Sequence, residues 1–197
     1  MSASVSFSYL KFLSFYGADN QMVVSPNLLA GNPGHIWMNR SFETHILIGG
    51  LLGVLQPELY DVGKSGIFTF IDNPALVTNP NDLREALACW NVPFDNISII
   101  AQGQTPLHRD ISGRKEWMEI LVALGKYDHG RFGLPDLNVT LKYNPGCVIA
   151  LSRMLLQHGA DCSGGERACI AFYMCDAVHA RLGLPVVGYA NIDTFQK

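Results

Sequence analysis

The feature that most constrains this chain is a series of short β-prone runs in its C-terminal half, each closed by turn residues. "ISIIA" (97–101), "WMEILVAL" (117–124), "NVTLKY" (138–143), "CVIAL" (147–151) and "ACIAFYM" (168–174) are rich in β-branched, aromatic and apolar residues. Gly103, the stretch Gly125 to Gly130, Asn144-Pro145-Gly146 and Ser163-Gly164-Gly165 separate them. Regular turns between short strands are the mark of a sandwich, jelly roll or barrel. The N-terminal part reads differently. "NPNDLREALACW" (79–90) predicts a helix opened by Asn81 or Asp82, with Leu83, Leu87 and Trp90 on one face. Residues 41–60 carry helix-like apolar spacing weakened by Gly49, Gly50 and Gly53. A turn-rich section follows through Gly63, Gly66 and Asn73-Pro74, and residues 1–40 show no clear periodicity. The expectation is a small β-domain fronted by helical or irregular material.

With 197 residues the chain is long enough to bury a core, and 48% hydrophobic against 16% charged residues is a globular balance. A net charge of −3 gives no global attraction to nucleic acid. The five cysteines are odd in number and contain no C-x-x-C pair, which fits reduced thiols inside a cell. No basic stretch precedes a continuous apolar run at the N-terminus, and "ILIGGLLGVL" (46–55) is too short to span a bilayer. The expected setting is intracellular, with no membrane partner.

The chemistry concentrates in "QTPLHRDISG" (104–113). Alternate residues of a strand share a face, so His108 and Asp110 can aim an imidazole and a carboxylate at one point while Arg109 faces away. Two-histidine, one-carboxylate iron(II) sites need that pair plus a distant second histidine. His158 answers the requirement: it follows the 147–151 strand and the connection "SRMLLQ", about three strands downstream of Asp110. Arg167 then opens the next strand after the "SGGER" turn, where a guanidinium can fork onto the far carboxylate of 2-oxoglutarate. The H-x-D pair alone is common by chance; the ordered set carries the argument.

The same residues also bear on other chemistries. "HRD" also opens the protein-kinase catalytic loop, but Lys115 stands where that loop needs asparagine, and no D-F-G follows. A zinc site from His158, Cys162 and Cys169 matches no common zinc module. "SGGER" lacks the Lys-Ser/Thr of a phosphate-binding loop. The cysteines read as small core residues, as do Trp90 and Trp117. His129 falls in a loop between strands, and His35, His45 and His179 have no partner pattern.

From about Leu83 to Leu182 the chain resembles the TET/J-binding-protein oxygenase domain of the kind found in short fungal proteins. The resemblance is carried by "TPLHRD", "YDHGRFGLPDLNVTLKYNPGCVIAL", "LLQHG" and "GGERACIAFYMCDAVHARLG" in that order. It implies an α+β protein with a double-stranded β-helix (jelly roll) core over 83–190 and a helical or irregular support region over 1–82. It also implies a 2-oxoglutarate- and Fe(II)-dependent dioxygenase. Iron ligation falls on His108, Asp110 and His158, the 2-oxoglutarate anchor on Arg167, and O2 is the second cosubstrate. The implied substrate is 5-methylcytosine or a related base in nucleic acid, oxidised at its methyl group after the base is flipped into a pocket. DNA carrying a methylated base is then a partner, and a nuclear location follows only from that substrate. The family's polar Asn-Arg pair ahead of the H-x-D is replaced here by "AQGQT", where Gln102 or Gln104 stands in. Two alternatives stay open: the same chemistry on a small molecule or a protein residue, and an inactive β-helix kept as a binding domain.

Overall fold

Two antiparallel strands of sixteen residues each organise the β part: β6 (Glu119–Leu134) and β9 (His158–Tyr173), paired along their whole length. The computed structural model describes residues 6–11, 13–16, 21–101, 104–111 and 113–191, with side chains from Met22 onward. The strands in chain order are β1 (Ser6–Lys11), β2 (Leu13–Tyr16), β3 (Gln21–Val24), β4 (Asn96–Ala101), β5 (Thr105–His108), β6, β7 (Val139–Lys142), β8 (Val148–Leu151) and β9. The helices are α1 (Pro33–Arg40), α2 (Phe42–Leu55), α3 (Pro57–Asp72), α4 (Pro80–Cys89) and α5 (Asp176–Arg181). The described residues divide into two compact units that interleave along the chain. One takes the residues up to Tyr9 and Ile97–Tyr173; the other takes Leu10–Asn96 and the residues from Met174.

In the β unit the sheet order is β1-β4-β9-β6-β7, with β5 added to β9 and β8 added to β6. The ladder between β6 and β9 is not uniform. Its register shifts between Lys126 and Asp128 and again between Asp128 and Arg131, so each strand carries an extra residue near its middle. Gly125 (φ 126°), His129 (φ 53°) and Gly164 (φ 74°) take left-handed backbone there. A Cβ on Gly165 would run into the Lys126 carbonyl oxygen, so the strands approach closely only because glycine stands at that point. Bulges bend a strand and raise its twist. One half of the β6–β9 pair is therefore flanked by β8 and the other by β7 and β5. Between the halves lies a core of Leu121, Ala123, Phe132, Tyr143 and Ala171.

Two stretches expected as turns lie inside strands. The stretch Gly125 to Gly130, read as a turn with His129 in a loop, is the bent middle of β6. "SGGER" is likewise interior to β9, which begins at His158, so Arg167 lies mid-strand. Buried residues continue on both sides, and main-chain pairing carries the strands through the glycines. The Gly103 separator lies outside the described residues.

In the helical unit, Gly63 and Gly66 lie inside α3 rather than in a turn. A Cβ at Gly63 would collide with the Pro93 carbonyl oxygen, so the glycine lets the helix approach that segment; burial outweighs its low propensity. The cap of α4 is Asn79, whose side chain accepts from the Asn81 N–H at 3.0 Å, two residues before the earlier of the two expected caps. The N-terminal stretch without periodicity holds the β2–β3 hairpin and α1. Met38, Leu52, Leu59, Phe70 and Leu83 are buried within this unit. Trp90 and Trp117 are core residues, as expected, at 5% and 2% exposure.

Candidate metal centre

β5 ends on His108 and β9 begins on His158, and the two are Cα partners across the antiparallel β5–β9 ladder. Directly opposed residues share a face, so strand pairing alone sets the imidazoles side by side, with ring centroids 4.4 Å apart. The register is produced by a bulge. Thr105 pairs with Ala160, and a shift before His108 replaces the expected Leu107 with His108 opposite His158. Pro106 lies in the shifted segment, a position where a residue without an N–H loses no ladder bond.

Both imidazoles are oriented through Nδ1. His108 Nδ1 lies 2.8 Å from the Pro106 carbonyl oxygen, and His158 Nδ1 lies 3.1 Å from the Leu156 carbonyl oxygen. A carbonyl can only accept, so each Nδ1 donates, and in the neutral imidazole this tautomer leaves Nε2 as the atom with a free lone pair. Burial holds His158 below the ordinary imidazole pKa, which favours the neutral, ligating form. Its ring stacks on Phe132 at 5.8 Å between centroids.

Asp110 lies just past the end of β5, not on the strand. Its N–H donates to the Arg153 carbonyl at 3.1 Å, and this main-chain bond turns the carboxylate toward the histidines. Asp110 Oδ1 stands 3.6 Å from His108 Nε2. One donor atom each from His108, Asp110 and His158 lies within 4.8 Å of the others. Donors around one divalent ion stand roughly 3 Å apart, given bonds of about 2.1 Å. Small side-chain movements reach that spacing, and the donor set suits iron(II) with positions left open.

Arg109 turns away, as alternation predicts, and joins the segments that carry the three residues. Its Nη2 meets both Asp136 oxygens at 2.9 Å, and its Nε donates to the Leu155 carbonyl at 3.2 Å. Asp136 also accepts from the Gln157 N–H at 2.6 Å, next to His158.

Arg167 is 4% exposed and donates from Nη2 to Thr105 Oγ1 at 2.9 Å. Thr105, His108, His158 and Arg167 line one pocket, with Phe132 and Tyr143 in its wall. Counting alternation along β9 puts His158 and Arg167 on opposite faces. The extra residue between Ser163 and Glu166 reverses the parity and turns Arg167 into the pocket with His158. Burial raises the pKa of Cys169 and Tyr143, so thiol and phenol stay neutral beside the guanidinium; Tyr143 Oη and Cys169 Sγ are 3.4 Å apart.

The residues that sequence reading did not find are Arg153 and Glu119. Arg153 is 7% exposed and Glu119 2%; the Arg153 Nε pairs with Glu119 Oε2, and its Nη1 lies 2.5 Å from Asp110 Oδ2. The available signal was each charge standing alone in an apolar run, "WMEIL" and "LSRMLL", where a buried ion needs a partner. The zinc alternative gains no support: His108, Asp110 and His158 are the one such cluster among the described residues, and Cys162 and Cys169 are not in it. His35 bonds the Leu28 carbonyl, His45 Asn91, and His179 lies 3.9 Å from Asp95, all away from the cluster. Gln104 lines a groove beside Leu107 and Arg131; Gln102 lies outside the described residues.

A bent antiparallel sheet with helices placed ahead of it is the double-stranded β-helix, or jelly roll, in an α+β protein. Residues 38–176, more than half the chain, match the Tet_JBP model, the oxygenase domain of the 2OGFeDO superfamily, and the chain belongs to that family. The superfamily uses Fe(II) and 2-oxoglutarate. In fold the chain is similar to NgTET1 in complex with 5mC DNA: TM-score 0.60 at 14% identity, covering 96% of this chain and 67% of that one. Looser likenesses include an RmlC-like cupin from Desulfovibrio desulfuricans (TM-score 0.31, 17% identity, 40% of this chain and 70% of that one). Another is a Cupin 2 conserved barrel protein from Salinispora arenicola (TM-score 0.34, 16% identity, 48% and 73%). No curated protein matches the chain by sequence. No helix among the described residues is long and apolar enough to cross a membrane.

Proposed function

We propose that this oxygenase domain hydroxylates the methyl group of 5-methylcytosine or a related base in nucleic acid, with His108, Asp110 and His158 holding Fe(II) and Arg167 anchoring 2-oxoglutarate. The observation that carries the reading is the convergence of three donor atoms within 4.8 Å, two of whose residues, His108 and His158, line a pocket together with the buried Arg167 guanidinium. Bound iron and 2-oxoglutarate supply the oxidation: one O2 is divided between succinate, formed with loss of CO2, and the hydroxyl placed on the substrate carbon. The chain's own residues do the rest. His108 and His158 present their Nε2 atoms, Asp110 adds one carboxylate oxygen, and Arg167 fixes the cosubstrate's distal carboxylate by paired N–H donors. Phe132 and Tyr143 supply aromatic wall to the pocket. The substrate assignment rests on the family and on the likeness to a protein solved with 5mC DNA.

Succinate formation by the purified chain with Fe(II), 2-oxoglutarate and O2, with and without methylated DNA, tests the reading beside Asp110→Ala. Turnover stimulated by the DNA and lost in Asp110→Ala supports it. Turnover indifferent to DNA but lost in the variant keeps the chemistry and rejects the substrate. No succinate and no iron binding from a folded chain rejects both. A second reading, the same reaction on a small molecule or protein residue, is favoured by the net charge of −3 and by Arg131 in the neighbouring groove being paired with Asp161 at 3.4 Å.

A further inference from the structure

Asp110 presents its two oxygens to different partners. Oδ1 faces His108 Nε2 at 3.6 Å, and Oδ2 faces Arg153 Nη1 at 2.5 Å. Arg153 is itself held on three sides: Nε on Glu119, its guanidinium 4.9 Å from the Tyr173 ring centroid, and its carbonyl bonded to the Asp110 N–H. Glu119 lies in the strand that pairs with β8 and β9, and Tyr173 ends β9, so the clamp is anchored in the sheet. The charges of this group also divide usefully. A lone arginine beside Asp110 would cancel the anion a cation needs. Glu119 neutralises Arg153, and Asp110 keeps its charge.

We infer that Arg153 is a positioning residue of the metal centre: it occupies Asp110 Oδ2 so that Oδ1 alone is offered to the ion, and Glu119 keeps it in place without cost to the site's charge. The inference rests on the reading of His108, Asp110 and His158 as the metal ligands. A carboxylate free to use both oxygens would occupy two positions, one of which the cosubstrate or O2 needs. Lysine cannot replace Arg153, because a single ammonium cannot bridge two carboxylates from one fixed plane.

The test is Co(II) binding to the whole chain, read by titration and by the visible d–d absorption of the bound ion. The variants are Arg153→Lys, Glu119→Gln and the apolar double variant Arg153→Met with Glu119→Leu. Buried ion pairs replaced whole by apolar residues of similar volume generally fold, so the double variant covers the case in which a single one does not. The expected result is about a 10- to 100-fold loss of Co(II) affinity, the usual effect of removing a partner of a ligand. Arg153→Lys should also change the d–d spectrum as Asp110 gains its second contact, which mere loosening of the fold would not produce. Wild-type affinity and spectrum in folded variants overturn the role of Arg153 alone. Failure of the wild-type chain to bind one Co(II) overturns the ligand reading, and this inference with it.

Discussion

His108 and His158 are neighbours across one strand pair, ring centroids 4.4 Å apart, although most of the β unit lies between them in sequence. Their meeting depends on the single-residue shift between Thr105 and His108. Without it Leu107, now 54% exposed, would take the place opposite His158. One residue of register decides whether the strand shows an imidazole or an isobutyl group to the pocket.

Arg167→Lys should weaken 2-oxoglutarate binding by roughly one to two orders of magnitude, because lysine loses the planar fork that matches a carboxylate. Metal binding should change by less than about threefold, since Arg167 is not one of the three clustered donors. Calorimetric titration with each ligand separates the two effects; a parallel loss of both would mean that Arg167 supports the fold.

Asp136→Ala should lower Co(II) affinity by about tenfold while costing little stability. Asp136 is partly exposed and pairs with an exposed Arg109, so the ion pair itself adds about 1 kcal/mol or less. Its larger effect is geometric, because it ties Arg109 to the Gln157 N–H beside His158. Metal titration together with urea unfolding checks the split.

Gly164→Ala should destabilise the chain by roughly 1–2 kcal/mol, the penalty for a Cβ in left-handed backbone. Gly164→Asn should cost less, because asparagine tolerates that conformation. Chemical denaturation of the two variants gives the ordering; equal losses would place the cause in packing instead.

His45 gives a pH dependence of known sign. Burial pushes its pKa below the ordinary value of 6.5, against a smaller upward effect of its bond to Asn91 at 3.0 Å. The unfolded chain therefore binds a proton here more readily than the folded one. The stabilisation is fully present above pH 6.5 and is lost as pH falls below it toward the folded pKa. In His45→Gln the drop in unfolding free energy between neutral and mildly acidic pH should shrink; an unchanged drop would assign it to other groups.

Truncating Glu119 alone should destabilise the chain. Glu119→Ala leaves the buried Arg153 with Asp110 as its remaining carboxylate partner and its Nε without the Glu119 acceptor, and an unmade buried hydrogen bond costs about 1–3 kcal/mol. Thermal unfolding of Glu119→Ala beside the paired Arg153→Met and Glu119→Leu variant reads this directly, the paired variant being the more stable of the two.

The sequence by itself determined which residue types stand in which order: a His-x-Asp pair, a later histidine and an arginine, set among β-prone runs with strong turn formers. That was enough to expect a sandwich, jelly roll or barrel, with the family resemblance selecting the jelly roll, and to gather His108, Asp110, His158 and Arg167 as one set, because strand patterning and donor chemistry are local properties. The tertiary structure decided everything that depends on pairing between distant strands. Alternation alone puts Arg167 on the opposite face from His158, and only the bulge between Ser163 and Glu166 brings them together. Asp110 is aimed by a bond to the Arg153 carbonyl and not by strand geometry. Glu119 and Arg153 look like misplaced charges in apolar runs until the fold buries them against each other. Gly63 reads as a turn until a neighbouring carbonyl shows why a helix needs it bare. The physical reason is the same in each case: local propensity is fixed by neighbours in sequence, whereas register, close approach and the pairing of buried charges are fixed by neighbours in space.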